Sequence, residues 1–166
     1  MPQLYHVSDR GPFTTMRPRP SPPGTPHEGQ ELVWAVDEEH LPHYLLPRQC
    51  PRVCWAVGGP RRDLLCSPAA RVVAVEHGWA SRLLAAGLNV HLLDPAGFTL
   101  LDATAGYWVS AEPARVTAVR RVDDCFTALA AHDVELRLTP SLWPYVDAVV
   151  QAGGEFSAIR MRNAAR

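Results

Sequence analysis

Lysine is missing from this chain, and all 16 of its basic residues are arginine. Isoleucine is nearly missing too, since Ile159 stands alone. This is the mark of GC-rich coding rather than of a physical requirement, yet it excludes chemistry. Without lysine there is no Schiff-base nucleophile and no side-chain amine tuned as a base. A GxxxxGK[ST] phosphate loop is excluded as well, so any phosphate must be held by arginine or backbone. No apolar run approaches the roughly 18 residues that span a bilayer. Charge of one sign is lacking, because the formal net charge is −1. Such a balance gives no global field for duplex nucleic acid or an anionic membrane. Met1 to Arg10 carries no apolar signal segment. With four cysteines (Cys50, Cys54, Cys66 and Cys125) and no export signal, the expectation is a cytoplasmic protein with free thiols.

What is present fits one domain over residues 1–166. Apolar residues make up 47% of the chain, enough for a sizeable core. Proline is skewed, with 12 of 16 occurrences before residue 70. The run Arg17 to Pro26 reads as polyproline II that cannot bond its backbone into a sheet, inside a surface loop over 9–31. Around it, alternation and short apolar runs predict strands at Leu4–Ser8, Leu32–Val36, Val53–Val57, Arg71–Val75 and Val90–Leu93. Further strands are expected at Phe98–Leu101, Gly106–Ser110, Arg115–Val122, Val134–Leu138 and Phe156–Met161. Helices are expected from Asp37 to Leu45, over Trp79–Ala86, from Asp123 to Ala130, and from a Thr139-Pro140 start to Gly153. Irregular interspersion of helices and strands predicts an α+β fold: a twisted, mostly antiparallel sheet core with short flanking helices.

The candidate chemistry is sparse. His6 and Ser8 share one face of the first strand, so if Tyr5 and Val7 pack inward, an imidazole and a hydroxyl project outward. Cys50 and Cys54 lie four apart downstream of His40 and His43, but the two sulfurs need not converge. Buried free thiols are the expectation there, and no metal. There is no GxSxG elbow, and Gly58-Gly59-Pro60 lacks the dinucleotide spacing. Arg17, Arg19, Arg48, Arg52, Arg61 and Arg62 crowd the first third, and arginine binds phosphate bidentately. Tryptophans at 34, 55, 79, 108 and 143 offer stacking surfaces or core.

Several segments carry a resemblance. Leu4 to Ser8 (L-Y-H-x-S), Arg19 to Pro22, Val33 to His40 (V-W-A-x-D-E-E-H) and Pro47 to Val53 are of this kind. So are His91 to Phe98, Tyr107 to Ser110 and Phe156 to Ala164. Over nearly its whole length the chain resembles a small uncharacterised bacterial domain family. More distantly it is similar to the ADP-ribosyltransferase-like superfamily. That similarity implies NAD as cofactor or substrate, with His6 holding its ribose, Ser8 beside it, and Trp34 or Tyr44 as the stacking aromatic. Arg48 joins them as a ligand-binding residue. The strand Gly106–Ser110 carries Tyr107-Trp108 where the superfamily has its catalytic glutamate, and Glu135 stands in for that acid. The resulting expectation is a protein that binds a small-molecule nucleotide and serves ADP-ribosyl or 2′-phosphate transfer. Its alternatives are a non-enzymatic protein-interaction domain using the proline-arginine loop, and a metal-dependent hydrolase using His40 and His43.

Overall fold

The computed structural model describes residues 1–58 and 62–166. Gly59, Pro60 and Arg61, which include part of the glycine-proline turn and one arginine of the first third, lie outside the described residues. The chain opens with β1 (Leu4–Ser8), β2 (Thr15–Met16), β3 (Arg19–Pro20) and β4 (Glu31–Asp37). A 3-10 turn at Leu41–Tyr44 leads to β5 (Arg52–Ala56) and β6 (Arg71–Glu76). After a second 3-10 turn come α1 (Ala80–Leu84), β7 (Leu88–Leu93), β8 (Thr99–Asp102), β9 (Tyr107–Ser110) and β10 (Ala114–Val122). The last elements are α2 (Cys125–Ala130), β11 (Val134–Thr139), α3 (Trp143–Ala152), β12 (Phe156–Ile159) and a 3-10 turn at Met161–Asn163. The fold is α+β with mostly antiparallel sheets, as the element pattern predicts.

These elements form two compact units, one of residues 1–41 and 89–121, the other of 42–88 and 122–166. The first holds a sheet in the order β2-β10-β7-β1-β4-β9-β8, with β3 added beside β4. Its register pairs Leu4 with Leu93, His6 with His91 and Ser8 with Asn89. Leu4, Leu93, Val33, Ala35, Met16, Phe98 and Ala114 close its core. The inward face of β1 is therefore that of Leu4 and Ser8, both buried, with the half-buried His6 between them, while Tyr5 and Val7, also half-buried, lie on the other face. This reverses the expected facing. Leu4 opposite Leu93 buries more apolar surface than the phenol-bearing face can, and it carries His6 inward with it.

The second unit holds the order β11-β6-β5-β12, in which only β11 and β6 run parallel. Every residue of β6 is buried, the apolar run Val72–Val75 together with the charged Arg71 and Glu76 at its ends. One face of the β5–β6 pair, Val53 and Trp55 beside Ala74 and Val72, packs with Leu142, Tyr145 and Val149 around α3. Arg52 and Cys54 lie on the other face, opposite Val75 and Val73.

Four boundaries differ from expectation for identifiable reasons. The segment after Asp37 makes turns and a 3-10 helix instead of a helix to Leu45: β4 runs through Asp37, whose carboxylate then caps the amide of His40 at 3.0 Å. Proline does not keep 9–31 out of the sheet either. Arg19 and Pro20 pair with Leu32 and Glu31, because a strand only two residues long on one side of β4 leaves the missing proline N–H facing away. Thr139 ends β11 rather than opening α3, which starts at Trp143 with Pro144 in its first turn. β12 stops at Ile159 because Arg160 takes the left-handed conformation, φ 55°.

Candidate functional site

Building upward from β1, the carbonyl of Trp34 can only accept, so the Nδ1–H of His6 donates to it at 2.9 Å. His91, fully buried opposite, donates from Nδ1 to the His6 carbonyl at 3.2 Å and accepts at Nε2 from the Phe13 amide at 3.2 Å. Its ring stacks on Phe13, 5.5 Å between centroids. Burial pushes its pKa below the usual histidine value, so His91 is neutral at pH 7. The Ser8 hydroxyl accepts from the Arg10 amide at 3.0 Å, and Asn89 donates to the Arg10 carbonyl at 3.2 Å. Together these polar groups of β1 and β7 pin the segment from Arg10 to Phe13. Trp34 does not join them. Tyr5 pairs with Val36, which places Trp34 on the face of Tyr5 and Val7. There its indole N–H meets the Ser21 hydroxyl at 3.1 Å, and its ring meets His27 and Tyr107 edge-on.

Tyr44, Arg48 and Glu135 belong to the second unit, so the expected site residues divide three and three. Glu135 accepts from the Ser67 hydroxyl and, through one oxygen, from Nε and Nη2 of Arg137 at 2.8 and 2.6 Å. Burial works to raise its pKa, but the Ser67 and Arg137 hydrogen bonds prevail and hold the carboxyl below its ordinary value. Arg137 goes on to bind the Leu64 and Cys66 carbonyls at 2.7 and 2.9 Å. The Glu135 carboxylate thus anchors the 64–67 turn to β11.

The Cys50 thiol is pushed to about 11 and Cys54 to about 12, in both cases first by burial. Neither is a thiolate at neutral pH, and neither is a nucleophile. Among the described residues no group of three or more His, Cys, Asp and Glu side chains stands where it could hold a metal. The two histidines of the hydrolase alternative are committed to different partners, His40 Nδ1 to Asp37 at 2.7 Å and His43 Nε2 to Arg71 at 3.3 Å.

A different constellation gathers around Tyr44 and Arg48. Arg52 opens β5 with only 2% of its surface exposed. Its Nη1 donates to the Pro47 and Cys50 carbonyls, both at 3.0 Å, and its guanidinium lies 5.7 Å from the Tyr44 ring centroid. No carboxylate pairs with it among the described residues, and its Nε has no hydrogen-bond partner there. A buried charge in this state is costly unless something anionic completes it. Glu76, buried nearby, spends both carboxylate oxygens on the Ala165 amide, at 3.1 and 3.0 Å.

The strand register sets Ile159 beside Arg52, so Arg160 leaves β12 at the same end. The following turn is tied to the Pro47–Cys50 turn: the Asn163 amide donates to Gln49 O at 2.7 Å and Gln49 Oε1 at 3.2 Å. That tie brings Arg162, next to Asn163, toward Arg48, next to Gln49. Burial first, and then the charges of Arg162, Arg48 and Arg52, lower the pKa of the half-buried Arg160. Arg160 thus lies within electrostatic range of three other arginines, and such a concentration of guanidinium charge is the outline of an anion site.

Of this set the sequence singles out Tyr44, Arg48 and, as an arginine of the first third, Arg52. It misses Arg160 and Arg162. The available signal was the spacing in Ile159-Arg160-Met161-Arg162-Asn163, but two arginines flanking a methionine read equally well as a solvated strand. The left-handed turn at Arg160, which ends the strand, is not legible in that spacing. No curated protein and no solved structure matches the chain. A family profile described as a family of unknown function (DUF6886) matches residues 5–164. The chain belongs to that family.

Proposed function

We propose that the protein binds a phosphate-bearing small molecule, NAD or a related nucleotide, at the arginine set of its second unit. The carrying observation is the concentration of arginine around Arg160, where Arg48, Arg52 and Arg162 all act on it and Arg52 is buried to 2% with no partner for its Nε among the described residues. Arg52 itself lies over the ring of Tyr44, and Arg48, Arg160 and Arg162 supply exposed or half-buried guanidinium groups for phosphate oxygens. Arginine forks match phosphate geometry, and a hydrogen bond to a charged group contributes roughly 1.5–3 kcal/mol. ADP-ribosyl or 2′-phosphate transfer is the reaction class such binding serves. Glu135, in the same unit, is the acid to test for it.

Calorimetric titration of NAD, ADP-ribose and a 2′-phosphorylated nucleotide tests the reading. Saturable binding of at least one of them is expected, weakening as salt rises. Arg48→Ala and Arg162→Ala each raise Kd by about tenfold or more, since 1.4 kcal/mol is a factor of ten. His6→Ala leaves that Kd unchanged, because His6 lies outside the arginine set. Absence of binding to all three ligands overturns the proposal. So does binding that His6→Ala abolishes and the arginine variants do not touch.

A further inference from the structure

Beside the arginine set lies an open groove of about 580 Å³ lined by Trp143, Met161, Arg162, Ala164 and Arg166. Ligand sites for small molecules span roughly 300–1,000 Å³. We infer that this groove takes the nucleobase of the ligand whose phosphate the arginines hold, so that the ligand class is a nucleoside phosphate. This rests on the phosphate reading above and adds to it.

Trp143, the first residue of α3, leaves 40% of its surface exposed. Its indole N–H is already spent on the Ala165 carbonyl at 2.7 Å. That bond fixes the ring and uses its only donor, so what Trp143 offers a ligand is aromatic carbon. A nucleobase is the planar partner that such a surface favours, and stacking tolerates every base because each has a π-face.

The groove wall is also fixed. Ala165 is held on its other side by Glu76, while Met161 and Ala164 pack on the core under α3. Arg162 lines the groove and is also one of the charges acting on Arg160. The stacking surface and the phosphate grip thus share a residue, as one molecule with a base at one end and a phosphate at the other requires. Inorganic phosphate or a sugar phosphate would leave the tryptophan unused.

The test compares AMP and ADP with ribose 5-phosphate and pyrophosphate, titrated calorimetrically into the whole chain and into Trp143→Ala and Trp143→Phe. The expected result is that AMP binds about tenfold or more tighter than ribose 5-phosphate. Trp143→Ala erases that ratio and leaves pyrophosphate affinity in place, which also reports that the fold is intact. Trp143→Phe keeps most of the ratio. In proton NMR the base protons of AMP shift upfield on adding the parent chain and not on adding Trp143→Ala. If ribose 5-phosphate and AMP bind the parent equally, the base site is overturned and the arginine reading stands. If pyrophosphate and the nucleotides all fail to bind, both fall together.

Discussion

Arg160 sits at φ 55°, one of two described non-glycine residues with positive φ. Holding a side chain there costs roughly 1–2 kcal/mol, and like-charged neighbours add to the cost. Glycine adopts that conformation freely. Arg160→Gly is accordingly expected to leave stability unchanged or raise it, by up to about 1 kcal/mol, while weakening phosphate binding. Urea unfolding reads the first effect and calorimetry the second. A variant clearly less stable than the parent contradicts the account of Arg160 as strained for function.

His91 carries a prediction of a different kind. Its folded pKa is depressed by burial, so the unfolded chain takes up the proton first as pH falls. The contribution of the neutral ring is full above the unfolded value, about 6.5, and is lost as pH drops below that toward the folded pKa. Protonation also removes the Nε2 acceptor that holds the Phe13 amide. The urea midpoint of the parent should fall between pH 7 and pH 5 more steeply than that of His91→Gln. Equal slopes would show that His91 titrates alike in both states. Glu135→Gln, which weakens the ties to Ser67 and Arg137, should lower the melting temperature and leave nucleotide Kd unchanged. A changed Kd with an unchanged melting temperature would contradict the anchoring role.

At the level of elements, Gly106 shows how closely the turn before β9 is built. Its φ is +66°, and a Cβ there would stand 2.2 Å from His40 Nδ1 and 2.7 Å from Asp37 Oδ1. Gly106→Ala is expected to cost roughly 3 kcal/mol by urea unfolding, since His40 is buried and cannot yield. Adding His40→Ala should recover part of the loss, as coupling between touching residues requires. No recovery in the double variant would place the strain elsewhere. The strands were largely legible from alternation and apolar runs, because a period of two leaves little choice about which residues face inward together. What could not be read was which of the two faces of β1 is the inner one. That depends on Leu93 and His91 arriving from a strand more than 80 residues away. The start of α3 was ambiguous for a local reason: Thr139-Pro140 and Leu142-Trp143-Pro144 both carry a proline start, and pairing of Thr139 with Glu76 decides between them.

For the whole molecule, the α+β class followed from the order of elements, whereas the division into two compact units left no trace in composition. Each unit is discontinuous in sequence, so no linker marks a boundary. The same discontinuity hid the arginine set. Arg48 and Arg52 are more than 100 residues from Arg160 and Arg162, and the pairing of β5 with β12 and the Asn163–Gln49 hydrogen bonds unite them. The expected trio of His6, Ser8 and Trp34 looked local, yet the sheet turns Trp34 away from the other two. The absence of lysine sharpens the reading, because every cation near Tyr44 is a guanidinium that stays charged at any physiological pH. The decisive experiment is titration of NAD, ADP-ribose and a 2′-phosphorylated nucleotide into the parent chain and into Arg160→Gly. Saturable binding of at least one of them by the parent is expected, with its Kd raised about tenfold or more in a variant that remains as stable. A parent that binds none of the three, or a variant that binds equally well, would contradict the arginine site.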